Sequence, residues 1–303
     1  MRKPLDGLAI GLVTILCASW GLQQVAMKVA APSLNPVLQV GVRCAVASVL
    51  LVAFMAWRPS VSSGEDSSWR PGLLAGMAFA FEFLLIAWGL MHTTASHMVV
   101  FIYTMPIFAA LGLHVFVPGE RLQGLQWLGV LAAFAGIVLA FISNFLTFDP
   151  ARMRSILFGD ALGVLAGFLW ASTTVLIRTT RLAEQSAAVT LLYQLACAAV
   201  LLTITGWLVF QDGPVTMTGI AWVSMVYQSL LVAFGSLLVW FWLLRHYLAS
   251  RISVLTFMTP LFGVIFGVWL LDEPIDAWFL IGAAFVSAGI VLVNLPGRKR
   301  VAR

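Results

Sequence analysis

Residues 102–120 read IYTMPIFAALGLHVFVPGE, and residues 256–274 read TFMTPLFGVIFGVWLLDEP. Each is an apolar run with a proline inside it, and each reaches a glutamate at its end, Glu120 and Glu273. Proline removes a backbone donor and clashes with the carbonyl four residues back. In a bilayer, neighbouring helices or a water-filled space can satisfy that carbonyl, so the residue is tolerated there. The rest of the chain decides the medium. Of 303 residues, 61% are hydrophobic and 10% charged, and the mean hydropathy is +1.01. A soluble domain carries about 25% charged residues. This chain lacks the polar surface to be soluble, and a lipid bilayer is the solvent that fits it.

A helix crossing about 30 Å of hydrocarbon takes about 20 residues. That ruler finds ten segments, at 7–28, 36–57, 72–92, 95–117, 122–145, 156–178, 187–210, 218–244, 251–271 and 275–295. Asn35-Pro36 reads as an N-cap with proline in the first turn, and Pro71 also suits a helix start. Linkers are short, and no segment is left for a soluble domain. With the N-terminus in the cytoplasm, thirteen Lys and Arg fall inside, three (Lys28, Arg152, Arg154) outside, and Arg43 lies within a span. The positive-inside rule therefore places both termini in the cytoplasm, as ten spans require. Arg2 and Lys3 before an apolar run imitate a signal peptide, but Gln23 and Gln24 interrupt its end, so a retained first helix is expected.

Several function classes drop out. The net charge of +5 is spread between apolar tracts and forms no nucleic-acid patch. Cys17, Cys44 and Cys197 sit in apolar runs and read as packing residues. The four histidines show no metal spacing, and there is no HExxH helix, GxSxG serine or Walker motif. Neither an enzyme nor a cofactor or metal site is expected.

The two opening stretches are one phrase used twice. Shifting the chain by 154 residues lays His92 on His246, Ala95-Ser96 on Ala249-Ser250, Pro106 on Pro260 and Phe108 on Phe262. With a one-residue gap, Glu120 meets Glu273, Gly129 meets Gly282 and Gly136 meets Gly289; at a shift of 150, Trp20 meets Trp170 and Lys28 meets Arg178. The halves, 1–147 and 148–303, hold five spans each. Five is odd, so the second half enters the membrane from the opposite side. Inverted repeats are a construction of secondary transporters, which alternate access to a midplane site. The expected fold is an all-α membrane protein of ten transmembrane helices, two inverted five-helix repeats around a central cavity.

The ordered set Trp20/Trp170, Arg43 after Pro36, Pro106/Pro260, Glu120…Gly129…Gly136 and Glu273…Gly282…Gly289 resembles the drug/metabolite transporter superfamily, in its ten-helix EamA-type branch, nearest the YddG-like aromatic amino acid exporters. The resemblance implies a ten-helix basket with a central cavity, a multi-pass location in the cell inner membrane, and export of aromatic and other neutral amino acids. The alternative substrate class is cationic drugs or other small metabolites.

Candidate site residues follow from the cost of polar groups in lipid. Arg43 and Glu82 lie deep in the second and third spans, where a charge costs at least about 2.5 kcal/mol. They are expected to face inward and approach each other, directly or through Gln23 or Gln24. Together they form a structural clamp, a carboxylate anchor, or a titrating group in a proton-coupled cycle. Trp20, Trp170, Tyr103 and Tyr227 lie deep and need partners for their donors. Gln228 is costly mid-span. Pro106 and Pro260 are expected to free the carbonyls of Ile102 and Thr256 and to act as hinges. Glu120 and Glu273 precede the fifth and tenth helices as caps or gate contacts. Trp57, Trp69, Trp127, Trp207, Trp222 and Trp278 read as an interfacial belt. The GxxxG spacings read as packing within one chain, so a monomer is expected.

Overall fold

The computed structural model describes residues 6–58, 69–116, 122, 124–145, 150–211, 214–247, 255–256 and 258–294. Among these residues the regular structure is helical. It comprises α1 (Gly7–Ala30), α2 (Pro36–Trp57), α3 (Trp69–Leu90), α4 (Ala95–Ile102), α5 (Met105–Phe116), α6 (Gly124–Phe145), α7 (Pro150–Thr179), α8 (Ala187–Thr205), α9 (Gly219–Val226), α10 (Ser236–His246), α11 (Met258–Leu271) and α12 (Ala277–Asn294). A π-helical segment, Gly206–Phe210, extends α8, and a longer one, Tyr227–Gly235, joins α9 to α10. Joined in this way, and with α4 and α5 as one broken span, the helices make the ten expected spans. Seven runs are long and apolar enough to cross a membrane unaided, and Gly124–Ala140, Met258–Leu271 and Ala277–Val293 are shorter apolar helices.

Local chemistry sets the helix starts. Asp6, Asn35, Thr94, Ser186 and Thr218 each accept a first-turn N–H with a side-chain oxygen. Such a cap satisfies one of the four donors that every helix start leaves unpaired. The six tryptophans at span ends are all exposed, from 41% for Trp127 to 72% for Trp57, as rings in a headgroup belt should be.

Packing shows the two halves running in opposite directions. Helices α6 and α12 approach through glycines. A Cβ placed on Gly129 would meet the Gly289 carbonyl at 2.7 Å, and one on Gly136 would meet the Gly282 carbonyl at 2.6 Å. As numbering rises on α6 it falls on α12, so the pair is antiparallel. Gly129 is aligned with Gly282 and Gly136 with Gly289, so exchanging the halves maps each contact onto the other. The same holds elsewhere. The α1–α11 contact has its counterpart in α7 against α4 and α5, and the α3–α7 contact in α1 against the α9–α10 span. Pairs α2–α8 and α4–α11 map onto themselves. The fold is thus two inverted five-span repeats, with a pseudo-twofold axis crossing the bundle. GxxxG glycines at 72/76, 159/163/167 and 263/267 meet neighbours inside the chain, whereas Gly7 and Gly11 meet nothing within 4 Å.

Candidate functional site

Polar side chains gather where α1, α2 and the Tyr227–Gly235 segment meet. Asn35 caps α2 and Pro36 opens it, and Gln39 and Arg43 follow four residues apart on one helix face. Gln39 Nε2 donates to the carbonyls of Met27 and Leu34, at 3.0 and 2.7 Å. Gln228 Nε2 donates to Gln39 Oε1 at 2.9 Å and to Ser224 Oγ at 3.0 Å. Arg43 Nη1 donates to Gln228 Oε1 at 3.4 Å, and its guanidinium lies 4.8 Å from the centroid of the Phe83 ring. Arg43, Gln39 and Gln228 are 2%, 0% and 0% exposed. Gln228 lies in a π-helical stretch, whose extra residue per turn re-aims side chains; such segments recur at functional sites.

Glu82 does not make the expected direct pair with Arg43. The ion pairs among the described residues are Lys28–Glu273 and His97–Asp160. Arg43 and Glu82 remain within electrostatic range, while the Arg43 guanidinium stacks on the ring next to Glu82 in sequence. Glu82 is 3% exposed. Its Oε2, Gln24 Oε1 and Thr259 Oγ1 are buried without a hydrogen-bond partner. Unpaired buried polar atoms are costly and rare, and here three occur in the interior of one membrane bundle. Gln23 is buried beside Gln24 on α1.

The aromatic candidates separate into three contacts. Trp20 Nε1 donates to Ser236 Oγ at 3.1 Å, and the ring meets Trp240 edge-on at 5.7 Å. Tyr103 meets Trp170 edge-on at 5.8 Å. The Tyr227 hydroxyl donates to the Ser19 carbonyl at 2.6 Å, which ties α1 to the α9–α10 span.

Of the two carbonyls that the prolines are expected to free, a turn takes up one, that of Thr256. The fourth span breaks outright: α4 ends at Ile102, Tyr103 and Thr104 form a turn, and α5 restarts at Met105 ahead of Pro106. Thr104 Oγ1 donates to the Phe101 carbonyl at 2.7 Å, and the Ile102 carbonyl lies against Gly167 of α7. In the ninth span Pro260 falls in the first turn of α11, and the Thr256 carbonyl accepts the Thr259 N–H at 3.0 Å. That carbonyl is therefore not the open acceptor that the sequence suggests; a turn has taken it. At these breaks the Phe101 and Thr256 carbonyls accept local donors, and the Ile102 carbonyl packs against Gly167.

Glu273 makes the densest contact of the candidates. Its carboxylate accepts the N–H groups of Ala95 and Ser96, at 2.7 and 2.9 Å, and the Ser96 hydroxyl at 2.7 Å. Lys28 Nζ is 3.5 Å from it and also donates to the Thr93 carbonyl. The cap thus comes from another part of the chain and ties α1, α4 and the α11–α12 turn together. Next to it, Asp160 of α7 accepts from the Thr93 hydroxyl and meets His97 Nδ1 at 2.9 Å, and the His97 ring stacks on Phe279 at 4.1 Å. Glu120 lies outside the described residues.

Sequence reading missed Gln39, Ser224, Ser236, Thr259 and the His97–Asp160 pair. Gln39 carries a signal, a glutamine one turn from Arg43, and Ser236 lies 154 residues after Glu82, the shift of the repeat. Asp160 and His97 are 63 residues apart, and only the fold joins them. Two grooves among the described residues, of about 420 and 410 Å³, lie elsewhere, one lined by Leu8, Leu12 and Trp242, the other by Met77, Cys197 and Ile204.

Comparison with known proteins agrees with this architecture. The family model of the EamA-like transporter family matches twice, over residues 7–142 and 157–295. An uncharacterised transporter of Archaeoglobus fulgidus is 28% identical over 287 residues, covering 93% of this chain and 96% of that protein. A probable amino-acid metabolite efflux pump of Escherichia coli is 27% identical over 297 residues, covering 95% and 94%. A solved crystal structure shares the fold, with a TM-score of 0.64 at 18% identity over 94% of this chain and 96% of that one. Two family matches, one on each inverted half, cover nearly the whole chain: it belongs to the EamA-like transporter family.

Proposed function

We propose that this transporter exports amino acids, aromatic and other neutral ones, across the cell inner membrane by alternating access, working as a monomer in the manner of the YddG-like exporters. The observation that carries the reading is the set of buried acceptors without partners, Glu82 Oε2 and Gln24 Oε1, in the same bundle interior as a buried Arg43 held by neutral groups. A zwitterion supplies what each lacks: its ammonium donates to the acceptors, and its carboxylate takes the guanidinium. Trp20, Trp170, Tyr103 and Tyr227 supply the apolar contact for the side chain, with Gln23 and Gln228 at the polar rim. Two relatives are named as probable amino-acid metabolite efflux pumps. Closure of one face falls to the Glu273 cap, with Pro106 and Pro260 marking where the fourth and ninth spans bend; Glu120 holds the matching place in the first half. Protons enter as a coupling ion through Glu82.

The experiment is counterflow of labelled L-phenylalanine, L-leucine and L-threonine in proteoliposomes, with and without a pH gradient, for the wild type and Glu82→Gln. Exchange of at least one amino acid is expected, with a gradient response that Glu82→Gln abolishes. Absence of exchange for every amino acid would refute the substrate class. Exchange that ignores the gradient would remove the proton. A second reading draws on the lack of a direct Arg43–Glu82 pair: a carboxylate not held by an arginine, near aromatic rings, also suits an organic cation. Uptake of labelled tetraphenylphosphonium in the same vesicles separates the two.

A further inference from the structure

Thr259 stands at the meeting of the two broken spans. It lies in the first turn of α11, directly before Pro260, and is fully buried. Its hydroxyl has no hydrogen-bond partner, although it lies beside the Tyr103 phenol. On its other side α1 is in contact: a Cβ on Gly21 would come within 3.0 Å of the Thr259 carbonyl and 2.7 Å of the Gly263 nitrogen. No solute fits between α1 and α11 there. The Cys17 thiol of α1 lies on this side as well, and on the other, at the α4–α5 break, Tyr103 meets Trp170 edge-on. Two hydroxyls thus lie side by side beneath an aromatic contact, and that of Thr259 is unsatisfied.

The repeat shows that this pairing is not imposed by symmetry. With Pro106 laid on Pro260, Tyr103 aligns with Phe257 and Met105 with Thr259. The first half has Tyr-x-Met where the second has Phe-x-Thr. Each half supplies one hydroxyl, at different places in the motif, and packing of α4 against α11 across the pseudo-twofold brings the two together. A packing role alone would be met by valine, which has the same shape and no orphan donor.

We propose that Thr259, with Tyr103, is a specificity-determining contact for the tip of the substrate side chain, and that it selects a hydroxyl-bearing aromatic amino acid over its deoxy counterpart. This rests on the reading of the protein as an amino acid exporter. A site with buried hydrogen-bonding groups discriminates strongly against a ligand that leaves them unpaired, whereas an apolar pocket barely distinguishes the two. The closed conformation covers the Thr259 hydroxyl with protein; bending at the α4–α5 break uncovers it.

The test is competition between L-tyrosine and L-phenylalanine for counterflow in proteoliposomes, for the wild type, Thr259→Val and Thr259→Ser. Expected is a tyrosine preference in the wild type of about tenfold or more. Thr259→Val should bring the ratio close to one while phenylalanine exchange persists, and Thr259→Ser should keep the preference. An unchanged ratio in a Thr259→Val protein that still exchanges phenylalanine overturns the assignment and leaves the exporter reading standing. So does an equal loss of both substrates in Thr259→Val and Thr259→Ser. Failure of the wild type to exchange any amino acid overturns both.

Discussion

Single residues carry the contacts that tie the α11–α12 turn to the start of α4. Asp272 is the one described non-glycine residue with positive φ, at 50°. This left-handed step ends α11 and turns the chain so that Glu273 can reach back to α4. Gly267 lies under that return, and a Cβ there would collide with both the Ser96 hydroxyl and the Glu273 carboxylate. Gly267→Ala should therefore release the cap and lower stability by about 1–3 kcal/mol, through overpacking, as read from thermal unfolding in detergent. Glu273→Ala should cost about 0.5–2 kcal/mol, the usual value of a lost N-cap, and should speed hydrogen exchange at the amides of Ala95 and Ser96 selectively. Unchanged exchange at those two amides would mean that the carboxylate does not hold them in solution.

Elements differ in how far sequence foretells them. Spans with a plain apolar pattern, such as α2 and α6, fall close to where the 20-residue ruler puts them, because length and hydropathy alone decide whether a helix crosses lipid. The fourth span is the exception. Its proline signals a bend at Ile102, but the structure resolves that bend into a two-residue turn with a hydroxyl-carbonyl bond of its own. The π-helical segment at Tyr227–Gly235 has no sequence signature at all; within it Tyr227 meets the Ser19 carbonyl and Gln228 the Gln39 side chain, partners that only the fold supplies. The α6–α12 contact rests on glycines that face each other. Gly136→Val or Gly289→Val should separate the two helices, costing about 1–3 kcal/mol and reducing the yield of folded protein, whereas Gly7→Ala, which meets nothing, should be neutral or slightly stabilising.

For the whole molecule, the inverted repeat makes a topological prediction that needs no substrate. Arg58 and Glu184 should face the cytoplasm, and Pro32 and Asp272 the opposite side. Cysteines placed singly at these exposed positions should react with a membrane-impermeant thiol reagent from one side only. Arg58→Cys and Glu184→Cys should label in inverted vesicles, and Pro32→Cys and Asp272→Cys in intact cells. The reverse pattern would turn the molecule over and exchange the faces assigned to the Glu273 cap.

The sequence by itself determined that this chain lives in a bilayer, that it spans it ten times, and that its halves are one unit inserted twice in opposite senses. Composition and the spacing of Pro, Glu and Gly are enough for that, since hydrophobic length and parity of spans are properties of the chain in order. It also named the most costly of the interior polar residues, Arg43, Glu82, Gln23, Gln24 and Gln228, because each is expensive in lipid wherever it points. Only the tertiary structure decided which of them meet. Arg43 finds Gln228 rather than Glu82, Glu273 finds the start of α4, Asp160 finds His97, and Thr259 is left beside Tyr103 without a partner. Those pairings depend on directions fixed by helix packing to within a fraction of a turn, and one helical turn is only 5.4 Å, less than the uncertainty with which any span can be placed from its sequence.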